Sequence, residues 1–460
     1  MPTQESIFKE AANKKAADQQ HRLKLNYNIK QYDNAVEKGK QQFAHIDLAK
    51  RRAKNIKWQS IENLGRYLEE FETNFIGNGG KVIWAEDAKD ARDEIIHILK
   101  TNDAKTVVKS KSMATEEIEL NHHLEEQGVE VAETDLGEYI VQLAGEKPYH
   151  IVTPAMHKSK EDVQQLFHNK LGTAPDLSPE QLTEVARENL REIYISADVG
   201  ITGANFLIAN TGSIAITENE GNARLTTAYP KIHIVVVGIE KVIPNIKDLS
   251  LYWPLLSTYG TGQKLTVYNS IISGPKKDGE TDGPEEMYLI LLDNGRTNLI
   301  AKPDQREALF CIKCGACLNA CPVYKNIGGH SYNTTYSGPI GSITTPHFKD
   351  LNTYGHLSEA SSLCGKCTEV CPVNIDLHNM LQYNRRDLAE LNGKSTGEKI
   401  KWGIWKKAML NRKNMNRGTG VKNMFLSLFF SNAWGNKKEL PKVQKSFNQQ
   451  WIERFGKDKK

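Results

Sequence analysis

Cys311-Ile-Lys-Cys314-Gly-Ala-Cys317-Leu-Asn-Ala-Cys321-Pro322 decides how this chain is read, and Cys364-Gly-Lys-Cys367-Thr-Glu-Val-Cys371-Pro372 repeats the spacing without its first cysteine. All seven cysteines fall in these two runs. The order C-x2-C-x2-C-x3-C-P is the one by which bacterial ferredoxins hold 4Fe–4S clusters. A cubane needs four soft thiolates converging on one small volume. Gly315 and Gly365 supply the dihedrals of the tight turn around it, and Pro322 and Pro372 turn the chain away.

In two-cluster ferredoxins the fourth cysteine of each run ligates the other cluster. The expected first set is therefore Cys311, Cys314, Cys317 and Cys371. The second is Cys321, Cys364 and Cys367, with Ser361 in register with the missing cysteine. Three thiolates suit a 3Fe–4S cluster, or a 4Fe–4S cluster with another ligand on its fourth iron. Ser361, Ser362, Glu359 and His356 are the nearest side chains for that place. Structural zinc uses paired C-x2-C knuckles without the third cysteine and the following proline. Complete disulfide pairing fails on an odd cysteine count.

Outward from the cysteines, 460 residues suggest two or three domains. The expected division is a helical arm over 1–74, an α/β domain over 75–298, a ferredoxin-like cluster domain over 299–390 and a basic, Trp-rich helical domain over 391–460. Residues 1–60 carry 13 Lys and Arg against 6 Asp and Glu, and residues 391–460 carry 17 against 4. Within a net charge of +4 the middle is therefore acidic, and basic ends of this kind suit docking surfaces. No nucleic-acid recognition motif accompanies the charge. No run of eighteen apolar residues is present, and Met1–Gln20 is too polar for a secretory signal. A cytoplasmic protein is the expectation.

Apolar residues at helical spacing (Ile56, Ile61, Leu64, Leu68, Phe71) mark the arm as amphipathic. From Gly77 strands and helices alternate, which reads as parallel βαβ units. Strands are expected at Lys81–Trp84, Thr106–Lys109, Val129–Ala132, Tyr149–Thr153, Phe206–Ala209, Ile214–Thr217, Ile232–Gly238, Leu265–Tyr268 and Met287–Leu292. Helices are expected at Ala88–Asn102, Met113–Gln127, Ser159–Leu171 and Ser178–Ala197, and after the cysteines at Leu377–Leu391. The tail holds Trp402, Trp405, Trp434 and Trp451 and the apolar run Met424–Phe430 among lysines. That pattern fits contact with a partner subunit, self-packing or an interfacial membrane helix.

Over essentially its full length the chain resembles the lactate-utilisation iron–sulfur protein B family. The residues that carry the likeness are Lys109-Ser-Lys111-Ser112-Met-Ala-Thr-Glu116-Glu117-Ile-Glu-Leu-Asn121, Asn210-Thr-Gly-Ser213 and Asn219-Glu-Gly-Asn222-Ala-Arg224. Cys311–Tyr324, Pro339-Ile-Gly-Ser342 and Ser361–Pro372 add to it. The family shares the seven-cysteine arrangement. The resemblance implies an iron–sulfur electron-transfer component of a three-part system that oxidises L-lactate to pyruvate. Its partners would be a cysteine-rich subunit and a second protein sharing the α/β domain, named the LUD domain. That domain is similar to the Rossmann-like sheet of sugar-phosphate isomerases and CoA transferases. The implied fold class is that sheet, then a helical two-cluster ferredoxin-like domain and a helical basic tail.

A small 2-hydroxy acid needs cations or N–H dipoles for its carboxylate and a base for its hydroxyl proton. Lys109, Lys111 and Ser112 follow a strand and precede a helix, where parallel sheets bind ligands. Ser213 lies in a small hydroxyl-bearing loop with Thr211, and Glu220 and Arg224 follow the next strand. These six are the candidate catalytic residues. Each also has a plainer reading: solvated loop lysines, a turn, or a surface ion pair at i, i+4. No GxGxxG turn and no P-loop is present. Three roles stay open: electron transfer, direct catalysis with a hydroxy acid on an open cluster iron, or a redox-linked scaffold.

Overall fold

Ile232–Gly238 (Ile-His-Ile-Val-Val-Val-Gly) is buried along its whole length, as a β-branched run at the centre of a parallel sheet should be. The computed structural model describes residues 2–393, 396–413, 420, 422–424, 427–428, 442 and 444–456. Residues 1–388 form one compact unit and 389–460 a second.

Ten strands lie in the first unit: β1 (Lys81–Ala85), β2 (Thr106–Lys109), β3 (Glu130–Glu133), β4 (Val199–Thr202), β5 (Phe206–Ile208), β6 (Ser213–Glu218), β7 (Ile232–Gly238), β8 (Val242–Ile243), β9 (Tyr268–Ile272) and β10 (Glu286–Leu292). Six build a wholly parallel sheet in the order β1-β10-β7-β4-β2-β3. Alternate side chains of β7 point to opposite faces. Ile234 and Val236 join Ile95, Leu124 and Ile290 on one face. Val235 and Val237 join Phe71, Phe75 and Leu289 on the other. A second sheet, β8-β5-β6-β9, packs over that second face through Leu207, Ile214 and Ile216.

Four helices precede the sheet: Gln4–Ala17, Gln19–Gly39, Ile46–Glu62 and Leu64–Gly77. They do more than flank the α/β layer. Phe8, Leu25, Ile29 and Ala53 share one apolar core with Tyr252, Tyr324, Leu318, Ile340 and five cysteines, Cys314, Cys317, Cys321, Cys367 and Cys371. Lys50 donates to the Glu369 carbonyl (3.0 Å) and Lys54 to that of Asn374 (3.2 Å), which ties Ile46–Glu62 to the second cysteine run.

Four expectations change. A strand not expected, β4, lies between β7 and β2. Met113–Gln127 is two helices, Met113–Glu117 and Leu120–Glu126, broken where Glu119 takes a positive φ of 52°. The break turns Glu117 inward. Tyr149–Thr153 is a turn, because the His150 Nδ1 accepts from the N–H groups of Val152 (3.1 Å) and Thr153 (3.2 Å) and withholds them from any ladder. The strand expected at Leu265–Tyr268 begins only at Tyr268, because Thr266 N–H is held by Ser257 Oγ (3.1 Å) and that of Val267 by Asn219 (3.1 Å).

In the second unit, Thr396–Met409 and Phe447–Phe455 are helical. Trp402 and Trp405 stand exposed, ring to ring at 5.6 Å. Phe447, Trp451 and Phe455 form an exposed ladder on the second helix. Trp434 and most of the run 424–430 lie outside the described residues. Among the described residues no helix is long and apolar enough to cross a membrane.

Candidate iron–sulfur and anion site

The two cysteine runs fold as a structural repeat. Lys313 and Leu363 take φ of 60° and 53°, and Gly315 and Gly365 follow at 76° and 78°. A short helix starts after each glycine, Ala316–Ala320 and Lys366–Val370, and each ends on an extended cysteine, Cys321 or Cys371. The two helices pack against each other.

Cys311, Cys314, Cys317 and Cys371 line one small cavity closed by Ile151, Ile340, Val373, Ile375 and Leu377. Burial drives the Cys317 thiol well above its usual range, and Cys311, Cys314 and Cys371 push it further. Burial likewise lifts Cys371 to about 12. The remaining three act on one another: Cys367 is raised to about 11 by burial and then by Cys321 and Cys364. Thiolates this crowded in apolar walls need a cationic core between them, and an iron–sulfur cube is one. Buried lysines stand outside the first set, Lys50 toward Cys371 and Lys57 and Lys241 toward Cys311. Burial lowers all three, Lys57 to about 7 and Lys241 to about 8, and the negative charge of a thiolate-held cluster would favour their protonated forms. Of the second set, Cys364 is exposed.

Ser361 occupies the place of Cys311 in the repeat. Its Oγ accepts from Leu363 N–H at 3.2 Å, just as Cys311 Sγ accepts from Lys313 N–H at 3.3 Å. A thiolate at 361 would therefore sit as Cys311 sits. Ser361→Cys is expected to raise iron and acid-labile sulfide and to change the spectrum of the second cluster. Unchanged iron content and spectra would show that 361 is out of register.

A cavity of about 400 Å³ opens at the carboxyl edge of the parallel sheet, where such sheets bind ligands. Its walls follow β2 (Lys111, Ser112), β4 (Gly203, Asn205), β6 (Glu218, Glu220) and β7 (Glu240, Lys241), and its floor includes Arg296. Lys313, between Cys311 and Cys314, completes it with Tyr336. No cysteine of either set lines it; Ile151 and Lys313 also line the small pocket between Cys311, Cys314, Cys317 and Cys371.

Of the six candidate residues, Lys111, Ser112 and Glu220 reach this cavity. Lys111 Nζ donates to the Val152 carbonyl, and Ser112 caps Met113–Glu117 by accepting from Thr115 N–H (3.3 Å). Glu220 stands at the mouth and accepts from Leu136 N–H (3.0 Å). The cleft's desolvation, then the neighbouring Asp135, raise it to about 7. The other three lie elsewhere. Lys109 is fully buried, with Nζ 2.7 Å from Glu133 and 3.0 Å from Glu116. Burial works against its charge, yet those carboxylates hold it protonated. Ser213 bonds Ser273 (2.9 Å) inside the second sheet. Arg224 lies over the Tyr268 ring.

The deepest wall was not foreseen. Arg296 is 1% exposed. Its two terminal nitrogens each meet Glu117 at 2.9 Å, and its Nε meets Glu240 at 2.5 Å. Tyr336 (2.6 Å) and Asn294 (2.7 Å) also donate to Glu117. Lys313 Nζ lies 3.8 Å above the Tyr336 ring. The signal for Glu240 and Lys241 was present: they directly follow the most β-branched strand. Lys313 was hidden by the cysteines around it.

These features define an iron–sulfur protein whose two clusters are carried on an α/β scaffold, with a polar cavity set against the first cysteine set. The family described as "LUD domain" matches residues 68–292, and that described as "4Fe-4S dicluster domain" matches residues 307–375. Lactate utilization protein B of Anoxybacillus flavithermus is 41% identical over 414 residues, 87% of this chain and 88% of the relative. That of Geobacillus thermodenitrificans is 47% identical over 344 residues, 75% and 72% of the two. A solved DUF162 family structure from Deinococcus radiodurans, 15% identical, covers 50% of this chain and 98% of its own with a TM-score of 0.29. The chain belongs to the lactate utilization protein B family.

Proposed function

We propose that this chain is the iron–sulfur electron-transfer component of a multi-subunit system that oxidises L-lactate to pyruvate. The reading rests on its relatives' name together with one observation. Ile151 and Lys313 line both the cavity and the pocket of the first cysteine set, while Cys364 of the second set reaches the surface. Lactate loses two electrons and two protons, and iron–sulfur clusters bound there supply one-electron steps, so two match the donor. Cys311, Cys314, Cys317 and Cys371 would hold one, and Cys321, Cys364 and Cys367 the other. The chain's own residues keep water from the first set with Ile151, Ile340 and Leu377, and place Lys50, Lys57 and Lys241 around it, where a negative cluster would favour their protonated forms. A cysteine-rich subunit and a second LUD-domain protein are the proposed partners. Prepared anaerobically, the chain alone should contain iron and sulfide yet oxidise lactate slowly, and its co-purified partners should restore the rate. High turnover by the isolated chain would refute this.

The cavity favours a second reading, direct handling of a small carboxylate. Lys111, Lys241 and Lys313 offer cations, and Glu220 offers a proton acceptor. Below about pH 7 Glu220 is protonated and does not repel an anion; above it, its charge does. Lactate or pyruvate is therefore expected to bind about tenfold more tightly at pH 6 than at pH 8. Calorimetry should also show that Glu220→Gln reduces that dependence, leaving the part that Lys241, lowered to about 8 by burial, contributes. Equal slopes for the variant and the natural chain would remove Glu220 from the site.

A further inference from the structure

A second group of ligating side chains lies away from the cysteines and the cavity, on the seam between the loop before Lys160–Leu171 and the cluster region. Glu146, His157 and His330 each offer an atom, and the three atoms lie within 4.8 Å of one another. Glu146 and His157 come from one stretch, whereas His330 opens a turn beyond the first cysteine run. We propose that these three side chains bind a divalent first-row transition cation such as Zn²⁺. Two imidazoles and a carboxylate are a donor set of the right softness for that class, and water would complete the shell.

The surroundings hold the ligands in the required state. His330 Nε2 lies 2.7 Å from the Lys147 carbonyl. A carbonyl only accepts, so the proton is on Nε2 and Nδ1 keeps its lone pair. Such a second partner is what orients metal-binding histidines. His157 Nε2 lies 2.6 Å from Glu146 Oε2, and its Nδ1 is buried with no hydrogen-bond partner among the described residues. Tyr149 fixes both rings, stacked on His157 at 4.5 Å and edge-on to His330 at 4.9 Å. The Tyr149 hydroxyl is in turn tied to His21 Nε2 at 2.7 Å.

One group opposes the ion. Lys158 Nζ lies 2.6 Å from Glu146 Oε1, and Lys15 adds positive charge from the arm. Lys158 occupies only one carboxylate oxygen, and Oε2 remains for the metal. Binding replaces the proton between His157 Nε2 and Glu146, and that proton passes to His157 Nδ1, so the ring ligates as an uncharged imidazole. A bound ion would join the Glu146–His157 loop to the cluster region. Val152 lies in that loop, and its carbonyl holds Lys111 at the cavity.

The test uses the full chain with its clusters in place, stripped of loose metal, incubated anaerobically with Zn²⁺ and gel-filtered. Zinc, iron and acid-labile sulfide are then counted. About one zinc per chain is expected, with iron and sulfide unchanged. His157→Gln and His330→Gln should each weaken zinc binding at least about 100-fold while keeping the cluster absorption. Lys158→Met should tighten it about fivefold, because a competing charge is gone. Zinc retained equally by the doubly substituted chain, zinc gained only as iron is lost, or no zinc on the natural chain at tens of micromolar overturns the proposal.

Discussion

Cys371→Ser is expected to remove the same cluster as Cys314→Ser, although the two cysteines belong to different runs. Each change should lower iron and acid-labile sulfide by about half and leave the same residual spectrum. Cys364→Ser should give the complementary spectrum. The reason is the shared cavity: Cys371 lines it with Cys311, Cys314 and Cys317, whereas Cys364 acts on Cys321 and Cys367. If each run held its own cluster, Cys371→Ser would instead match Cys364→Ser. Folding should suffer more in the first pair. Cys314, Cys317 and Cys371 sit in the core that also holds Leu25, Ile29 and Tyr324, so losing that metal leaves crowded buried thiols in the middle of the unit. Metal ligation contributes folding energy directly. Cys364 is exposed, and its loss should lower the thermal midpoint less.

Much of this was readable before any coordinate. Most of the sheet's strands announce themselves as apolar runs between turns; β4 (Val199–Thr202) did not, because Gly200 and Thr202 break the run. The two cysteine runs are legible because their spacing is that of a ferredoxin repeat, and the structure folds them alike. What escaped depends on contacts between distant segments. Met113–Gln127 has the composition of one helix, yet it breaks because Glu117 is drawn to an arginine far along the chain. Lys109 and Lys111 look alike in sequence. They differ because Lys109 ends β2 facing Glu133, whereas Lys111 lies past the strand and turns to the cavity. Lys241, Arg296 and Lys313 come from three separate stretches, and only the fold gathers them.

Arg296→Met should be the most destabilising change outside the cysteines, costing about 3–5 kcal/mol. Methionine fills much of the same volume and can still lie on Phe348, over which the guanidinium stands at 4.6 Å. The cost is therefore electrostatic: Glu117 and Glu240, both about 4% exposed at the side chain, lose their common cation. The dependence on pH distinguishes this cause from lost packing. In the natural chain burial opposes ionisation of Glu240, but Arg296 and then Lys241 hold it at about 2, and Glu117 is held low by the same guanidinium. Their folded values lie below the unfolded one, so the stability they contribute is complete above about pH 5 and is lost as pH falls toward 2. Between pH 5.5 and 8 this term is flat. Without Arg296 burial prevails and both carboxyls rise above their unfolded value. The sign then reverses: the variant is most stable where they stay protonated, and loses stability as pH rises toward neutrality. Anaerobic thermal unfolding at pH 5.5, 6.5 and 7.5 should therefore show the gap between the two proteins widening with pH. A constant gap would mean that the arginine acts through packing alone. Glu117→Gln gives the converse check, since it leaves Glu240 paired and should produce a smaller loss with little slope.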